Sequence, residues 1–216
     1  MPLGQKKGIS SIFLYDEELR KNYPLIAGLD EAGRGSLAGP LVAAAVILPG
    51  KLAIDGLRDS KKVLEDERER LFWDVLCRSL DIGVGIVESD VIDSTNILRA
   101  TKLAMEMAIK DLNRKPDILL IDAVRLEGVS IPQKSIIKGE SVSASIAAAS
   151  IIAKVVRDRL MRAYHEKYPF YNFMEHKGYS TRQHIECLRL HGPCPIHRKS
   201  FRKVMDMELP FAVNVY

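Results

Sequence analysis

Residues 25–40 read LIAGLDEAGRGSLAGP, and the order of chemistry in this stretch sets the architecture of the chain. Residues 25–30 have the apolar character and length of a buried strand, yet the run closes on two adjacent acids, Asp30 and Glu31. A turn through Gly33 and Gly35 follows, and residues 41–48 (LVAAAVIL) make a second apolar run of strand length. Residues 81–88 (DIGVGIVE) alternate and read as a third strand. The short connections predict antiparallel neighbours among these three.

Working outward, residues 63–79 and 97–112 carry apolar positions at helical spacing, and Ser89 can cap a short helical turn between them. Residues 117–122 (DILLID) form a short buried strand. Its place after a helix predicts a parallel crossover. Another strand is expected at 135–138. Residues 143–168 form a long helix that begins with small residues (SIAAASIIA), suited to close packing on a sheet. Beyond Pro169 the chain turns basic and histidine-rich, with a helix at 181–190. The pattern predicts an α/β fold in three parts: an N-terminal extension (1–24), a main α/β domain (25–168) and a basic C-terminal helical region (169–216).

The composition, 216 residues of which 47% are hydrophobic, suits a globular domain with a substantial core. The longest apolar stretch, 37–48, is interrupted by Gly39 and Pro40 and stops at Pro49, short of the ~18 residues a membrane helix needs. The first 24 residues hold Lys6, Lys7 and a short apolar patch but no small-residue cleavage site, so no secretory signal is expected. Cys77, Cys187 and Cys194 form no CxxC pair, which favours reduced thiols and a cytoplasmic location. Net charge is +4. Between Lys154 and Lys203, twelve Lys or Arg stand against four Asp or Glu, a local +8 that leaves −4 for the remainder. All five histidines fall in the same stretch. Such a segment suits a polyanionic partner, although a solvated helical face has the same composition.

Acids at the ends of apolar strands cost several kcal/mol unless something compensates. Asp30, Glu31 and Asp122 are so placed. A lone strand-end acid is ordinarily a turn residue or salt-bridge partner. Here the acids abut glycines that admit a backbone ligand, and hard carboxylate oxygens suit Mg²⁺ or Mn²⁺. The chemistry indicated is metal-assisted phosphodiester hydrolysis. Two rivals fit less well. Gly33-x-Gly35-x-x-x-Gly39 follows a strand, as a dinucleotide-binding fingerprint should, but has the wrong spacing. His184, Cys187, His191, Cys194 and His197 lie three or four apart, as zinc ligands can, but match no standard finger.

Several motifs resemble bacterial ribonuclease HII. They are Asp30-Glu31-Ala32-Gly33-Arg34-Gly35, Leu37-Ala38-Gly39-Pro40, Asp59-Ser60-Lys61-Lys62, AAASIIAK at 147–154, Arg157-Asp158, His176-Lys177-Gly178-Tyr179 and Pro195-Ile196-His197-Arg198. The match runs in order over 25–201. It implies a ribonuclease H-like fold: a mixed five-stranded sheet flanked by helices, with a C-terminal helical appendage. It also implies a monomeric endonuclease that cuts RNA in RNA–DNA hybrids, and single ribonucleotides in duplex DNA, leaving 3′-hydroxyl and 5′-phosphate ends. By this resemblance Asp30, Glu31 and Asp122 ligate Mn²⁺ or Mg²⁺. The family's fourth acid is usually Asp in a Lys-Gly-Asp segment; here the segment is Lys138-Gly139-Glu140. The sister type, ribonuclease HIII, carries Glu at that position but also a large N-terminal domain, for which the 24-residue extension is too short. The backbone of Gly33-Arg34-Gly35 would read the ribose 2′-hydroxyl and Tyr179 the sugar that follows, with Ser180 where the family often has Gly. Lys61, Lys138, Ser150, Lys154 and Arg157 are candidate phosphate contacts, since a backbone reader needs such groups.

Overall fold

A computed structural model describes residues 10–208. Five strands form a mixed sheet in the order β3-β2-β1-β4-β5. They are β1 (Ile26–Ala32), β2 (Leu41–Ile47), β3 (Asp81–Val87), β4 (Ile118–Asp122) and β5 (Gln133–Ile136). Helices α1 (Ser11–Arg20), α2 (Glu65–Arg78), α3 (Ser89–Ser94), α4 (Ile97–Asp111) and α5 (Ala144–Lys167) precede the short C-terminal α6 (Phe173–His176), α7 (Arg182–His191) and α8 (Arg202–Glu208). β2, LVAAAVI, is buried at every position, as a strand covered on both faces must be. Contacts divide the chain into two compact units.

The first unit holds the chain up to Asp30, Ala45–Ile82 and Leu112–Ile151. Within it β1 pairs in parallel with β4, from Ile26↔Ile118 to Leu29↔Ile121, so DILLID is the parallel crossover strand expected. Ile26, Ile118, Leu120 and Ile146 form a buried cluster, with Tyr15, Leu19, Tyr23 and Ile136 packed against it. A Cβ on Gly28 would stand 2.0 Å from the Ser145 carbonyl carbon, so β1 and the first turn of α5 meet backbone to backbone. That approach is why α5 opens on small residues.

Three elements differ from the expectation. β1 runs on to Ala32, two residues past its expected end at Asp30. β5 occupies Gln133–Ile136 rather than 135–138. Its register on β4 starts at Leu119↔Gln133, and the Gln133 amide locks the preceding loop by bonding Leu126 N and O and Val129 O. Lys138 is thereby released into the left-handed region (φ 56°). Within the segment read as an extension, residues 11–20 form helix α1. Its inward face is marked by Ile12, Phe13 and the fully buried Asp16, and an acid on that face breaks the apolar periodicity. The Asp16 carboxylate accepts from the Ser145 backbone N–H (2.8 Å) and hydroxyl (2.7 Å), capping α5 from another helix.

The second unit holds Glu31–Ala44, Gly83–Asp111 and the chain from Ile152 on. Ala100, Ala104 and Ala108 put a narrow face of α4 inward, and a Cβ on Gly85 would fall 2.0 Å from the Ala104 carbonyl oxygen. Leu37 and Met161 share a core with Tyr171, Phe173, Leu188, Ile196 and Val204.

Asp16→Ala strands a buried N–H and a buried hydroxyl, and should cost about 1–3 kcal/mol by denaturant titration, with Asp16→Asn costing less. Burial holds the Asp16 carboxyl above its ordinary value, against the opposing hydrogen bonds from Ser143 and Ser145. Its folded-state pKa therefore exceeds its unfolded one. Wild type should compare best with Asp16→Asn below the ordinary carboxylate range, and lose ground as pH rises through the folded value. A pH-independent difference would refute the assignment.

Candidate active site

Leu29 and Ile121 are register partners, so Asp30 and Asp122 follow at equivalent positions on adjacent parallel strands. Asp30 is 7% exposed and Asp122 half-buried. The backbone N–H of Gly139 donates to Asp122 Oδ1 (2.9 Å) and so orients that carboxylate. A side chain at 139 would strike Ile146, with its Cβ 2.6 Å from Cδ1. The left-handed Lys138 and the 3₁₀ turn Gly139–Ser141 carry Glu140 inward, where it is 8% exposed and its Oε2 accepts no hydrogen bond.

Lys61 reports on all of these acids at once. Burial disfavours its ammonium, but Asp30, Asp59, Glu140 and Asp122 together raise its pKa above the ordinary lysine value. Asp59 also accepts from the Lys61 backbone N–H (2.9 Å). The Ser60 N–H donates to Ser150 Oγ (3.3 Å), which itself donates to Ala147 O on α5 (2.9 Å). Ser150 is buried and bound to the protein on both sides. It is not a phosphate contact, as expected from the motif, but the peg that holds the Lys61 turn on α5.

In the second unit Glu31 is half-buried, 3.6 Å from the Arg34 guanidinium. Gly33 adopts φ +93°, and a Cβ there would lie 2.0 Å from Arg157 Nε. Arg157 is 0% exposed and donates to Pro40 O (2.9 Å), Lys177 O (2.9 Å) and Ala38 O (3.0 Å). Arg157 therefore cannot reach a phosphate, which corrects that expectation: a tight glycine loop leaves carbonyls pointing inward, and a guanidinium satisfies three of them. Arg198, also 0% exposed, does the same for Gly39 O (2.9 and 3.1 Å) and Arg34 O (3.1 Å). Above these clamps Arg34 and Gly35 face solvent.

Tyr179 lies beside the glycine turn. Ser36 and Tyr179 form a β-bridge, and Leu37 N donates to Gly178 O (2.8 Å). The half-exposed phenol ring sits under Lys154 Nζ (5.3 Å) and the Arg157 guanidinium (5.2 Å). Lys154 is bonded to Asp158 (2.6 Å), while Lys138 is exposed.

Thus Asp30, Asp122, Glu140 and Lys61 come together, and separately Gly33, Arg34, Gly35, Lys154 and Tyr179. Asp59 and Arg198 are site residues that sequence reasoning misses, although both stand in the motifs that carry the resemblance. Among the described residues, no three His, Cys, Asp or Glu side chains already stand in ligand geometry around one point. Carboxylates without a cation repel one another, and Lys61 supplies a single positive charge to four of them. The donor set, hard oxygens with a buried Glu140 Oε2 lacking a hydrogen-bond donor, still fits a divalent cation. Neither rival is supported: after Gly39 comes strand β2 rather than a helix, and the His184 and His197 Nε2 atoms face each other at 3.0 Å.

A family model described as Ribonuclease HII matches residues 27–204. A Ribonuclease HII of Acetivibrio thermocellus is 54% identical over 191 residues, 88% of this chain and 75% of that protein. One of Bacillus thuringiensis is 52% identical over 204 residues, 94% and 79% of the two chains. Among solved structures, ribonuclease H2 from Pyrococcus horikoshii has a TM-score of 0.74 at 26% identity, covering 88% of this chain and all of that one. A Bst-RNase HIII in complex with Mn²⁺ has a TM-score of 0.71 at 19% identity, with 85% and 69% covered. The chain belongs to the ribonuclease HII family, and is a metal-dependent ribonuclease H, an endonuclease acting on RNA–DNA substrates.

Proposed function

We propose that the chain cuts the RNA strand of hybrids, and single ribonucleotides embedded in duplex DNA, through divalent ions held by Asp30, Glu31 and Asp122, with Glu140 completing the donor set. The observation that carries this reading is the placement of Asp30 and Asp122 at equivalent positions on adjacent parallel strands, with Asp122 held by Gly139 N–H and the neighbouring Glu140 buried. Mg²⁺ or Mn²⁺ bound there would activate the attacking water and stabilise the leaving 3′-oxygen, giving 3′-hydroxyl and 5′-phosphate ends. The Gly33-Arg34-Gly35 turn, exposed at Arg34 and Gly35, suits the 2′-hydroxyl, the one group that separates RNA from DNA. Tyr179 would pack on the following sugar, and Lys61, Lys138 and Lys154 would hold phosphates. The three free cysteines accord with a reducing cytoplasm, and among the described residues no helix is long and apolar enough to cross a membrane. A monomer suffices, since one chain carries every group named.

Asp30→Asn and Asp122→Asn should each lower kcat by about 10³-fold or more on duplex DNA with one ribonucleotide, with the fold intact by circular dichroism. Near-normal turnover in either variant would sink the carboxylate reading.

Glu140→Asp should be tolerated, since it keeps the charge and has the family's usual length. Glu140→Gln keeps length but loses charge, and should be severely impaired in Mg²⁺ and partly rescued in Mn²⁺, which tolerates poorer ligand sets. Asp158 is held by Lys154 (2.6 Å), and Asp158→Asn should retain most of its turnover. A dead Asp158→Asn beside an active Glu140→Gln would exchange the two roles.

The C-terminal charge should give a steep salt dependence of duplex binding. Because 169–208 contributes Phe173, Leu188 and Ile196 to a core, charge substitution is the appropriate probe rather than truncation. Arg182, Arg189 and Arg202 are exposed, and their replacement by Gln should lower the log–log salt slope by about 1 for each phosphate that is no longer neutralised. An unchanged slope would make this stretch a solvated face.

A further inference from the structure

Three histidines lie behind Tyr179, and the proposed cleavage chemistry uses none of them. His184 is 0% exposed and His197 1%. Cys194 N donates to His197 Nδ1 (2.9 Å), His197 Nε2 faces His184 Nε2 (3.0 Å), and His184 Nδ1 faces the Tyr179 carbonyl oxygen (3.0 Å). The ends of this chain assign its protons. His197 Nδ1 stands nearer the Cys194 backbone N–H (2.9 Å), which can only donate, than the Cys194 carbonyl oxygen (3.3 Å), so Nδ1 is assigned the lone pair and Nε2 the proton. That proton points at His184 Nε2, which must accept, leaving the His184 proton on Nδ1 to donate to the Tyr179 carbonyl. His176 stacks on His184 with ring centroids 4.3 Å apart. It accepts from Gly178 N at Nδ1 (3.2 Å) and gives its Nε2 proton to Tyr171 O (2.6 Å).

We propose that His184, oriented by His197, is a positioning residue that fixes the Tyr179 peptide and so sets the pose of the Tyr179 ring on the substrate sugar. The proposal rests on the reading of Tyr179 as a sugar contact. The Tyr179 peptide is held at its other end too, where its N–H donates to His176 O (2.8 Å), while Thr181 N shares its carbonyl (2.8 Å). With Gly178 O taken by Leu37 N, the ring's freedom is confined to its own side-chain torsions. The relay works only with neutral imidazoles, because a second proton on His184 or His197 would set two N–H groups against each other. Its surroundings keep it neutral. The titratable groups acting on His184 and His197 are each other and His176, which in turn feels Lys177 and Glu175, while the Tyr171 ring packs on His197; burial pushes His184 down to about 4 and His197 to about 3.

The test joins a spectrum of the wild-type protein to a substrate-preference measurement. Imidazole ¹⁵N correlation spectra of the full chain should show His184 protonated on Nδ1 and His197 and His176 on Nε2, unchanged from pH 8 to pH 5.5. The opposite tautomer at His184, or titration of either buried ring in that range, overturns the relay. In parallel, kcat/KM is measured on a single embedded ribonucleotide and on a continuous hybrid. His184→Asn places an amide donor where Nδ1 stood and should keep the wild-type preference. His184→Phe removes the donor and should shift the preference about fivefold, the scale of one neutral hydrogen bond. Tyr179→Ala distinguishes the two failures. If it leaves the preference unchanged, the sugar-contact reading fails. If it shifts the preference while a folded His184→Phe does not, the positioning role fails.

Discussion

Two adjacent parallel strands that carry carboxylates side by side repel each other there, and the rest of the first unit is arranged around that repulsion. Asp30 and Asp122 are forced into proximity by the β1–β4 register, and Glu140 and Asp59 add to the same field. Lys61 answers with one ammonium, and Gly139 N–H with one hydrogen bond. The Lys61 turn is pinned through Ser60 and Ser150 to α5, whose first turn is pressed onto β1 at Gly28 and capped by Asp16. Anionic excess built into a rigid frame is what a hard divalent cation requires, since frame and charge are in place before it arrives.

The second unit solves a different problem. A glycine turn that offers its outer backbone to a ligand must satisfy its inner carbonyls some other way. Arg157 and Arg198, both fully buried, supply donors to Arg34, Ala38, Gly39 and Pro40 carbonyls as well as Lys177. The space around Gly33 shows the consequence for sequence: the guanidinium that rigidifies the turn fills the volume a side chain would need. The stiffness of the turn and its intolerance of a side chain at position 33 thus have one cause.

Much of this is legible in the sequence, for physical reasons. Apolar runs closed by acids mark strand ends, and the alanine-rich start of α5 marks a close approach to the sheet. Helix α1 is not legible, because the residue that docks it is an acid. Asp16 hides the apolar stripe while its hydrogen bonds to Ser145 compensate for its burial. β5 is displaced by two residues because register is set by its partner rather than by its own residues. Arg157 and Ser150 resemble ligand contacts because a cation or hydroxyl in a motif carries no sign of which way it faces. Their real partners, inward carbonyls and the Ser60 N–H, belong to segments more than eighty residues away in sequence or to loops whose path only the fold defines.

The carboxylates around Lys61 form a divalent-cation site if the mechanism holds, and cation binding without substrate measures that directly. Mn²⁺ titration followed by electron paramagnetic resonance should show saturable binding to the wild-type protein, weakened more than about tenfold by Asp122→Asn and strengthened by Lys61→Met, which removes the competing ammonium. Equal Mn²⁺ affinity in wild type and Asp122→Asn would contradict it.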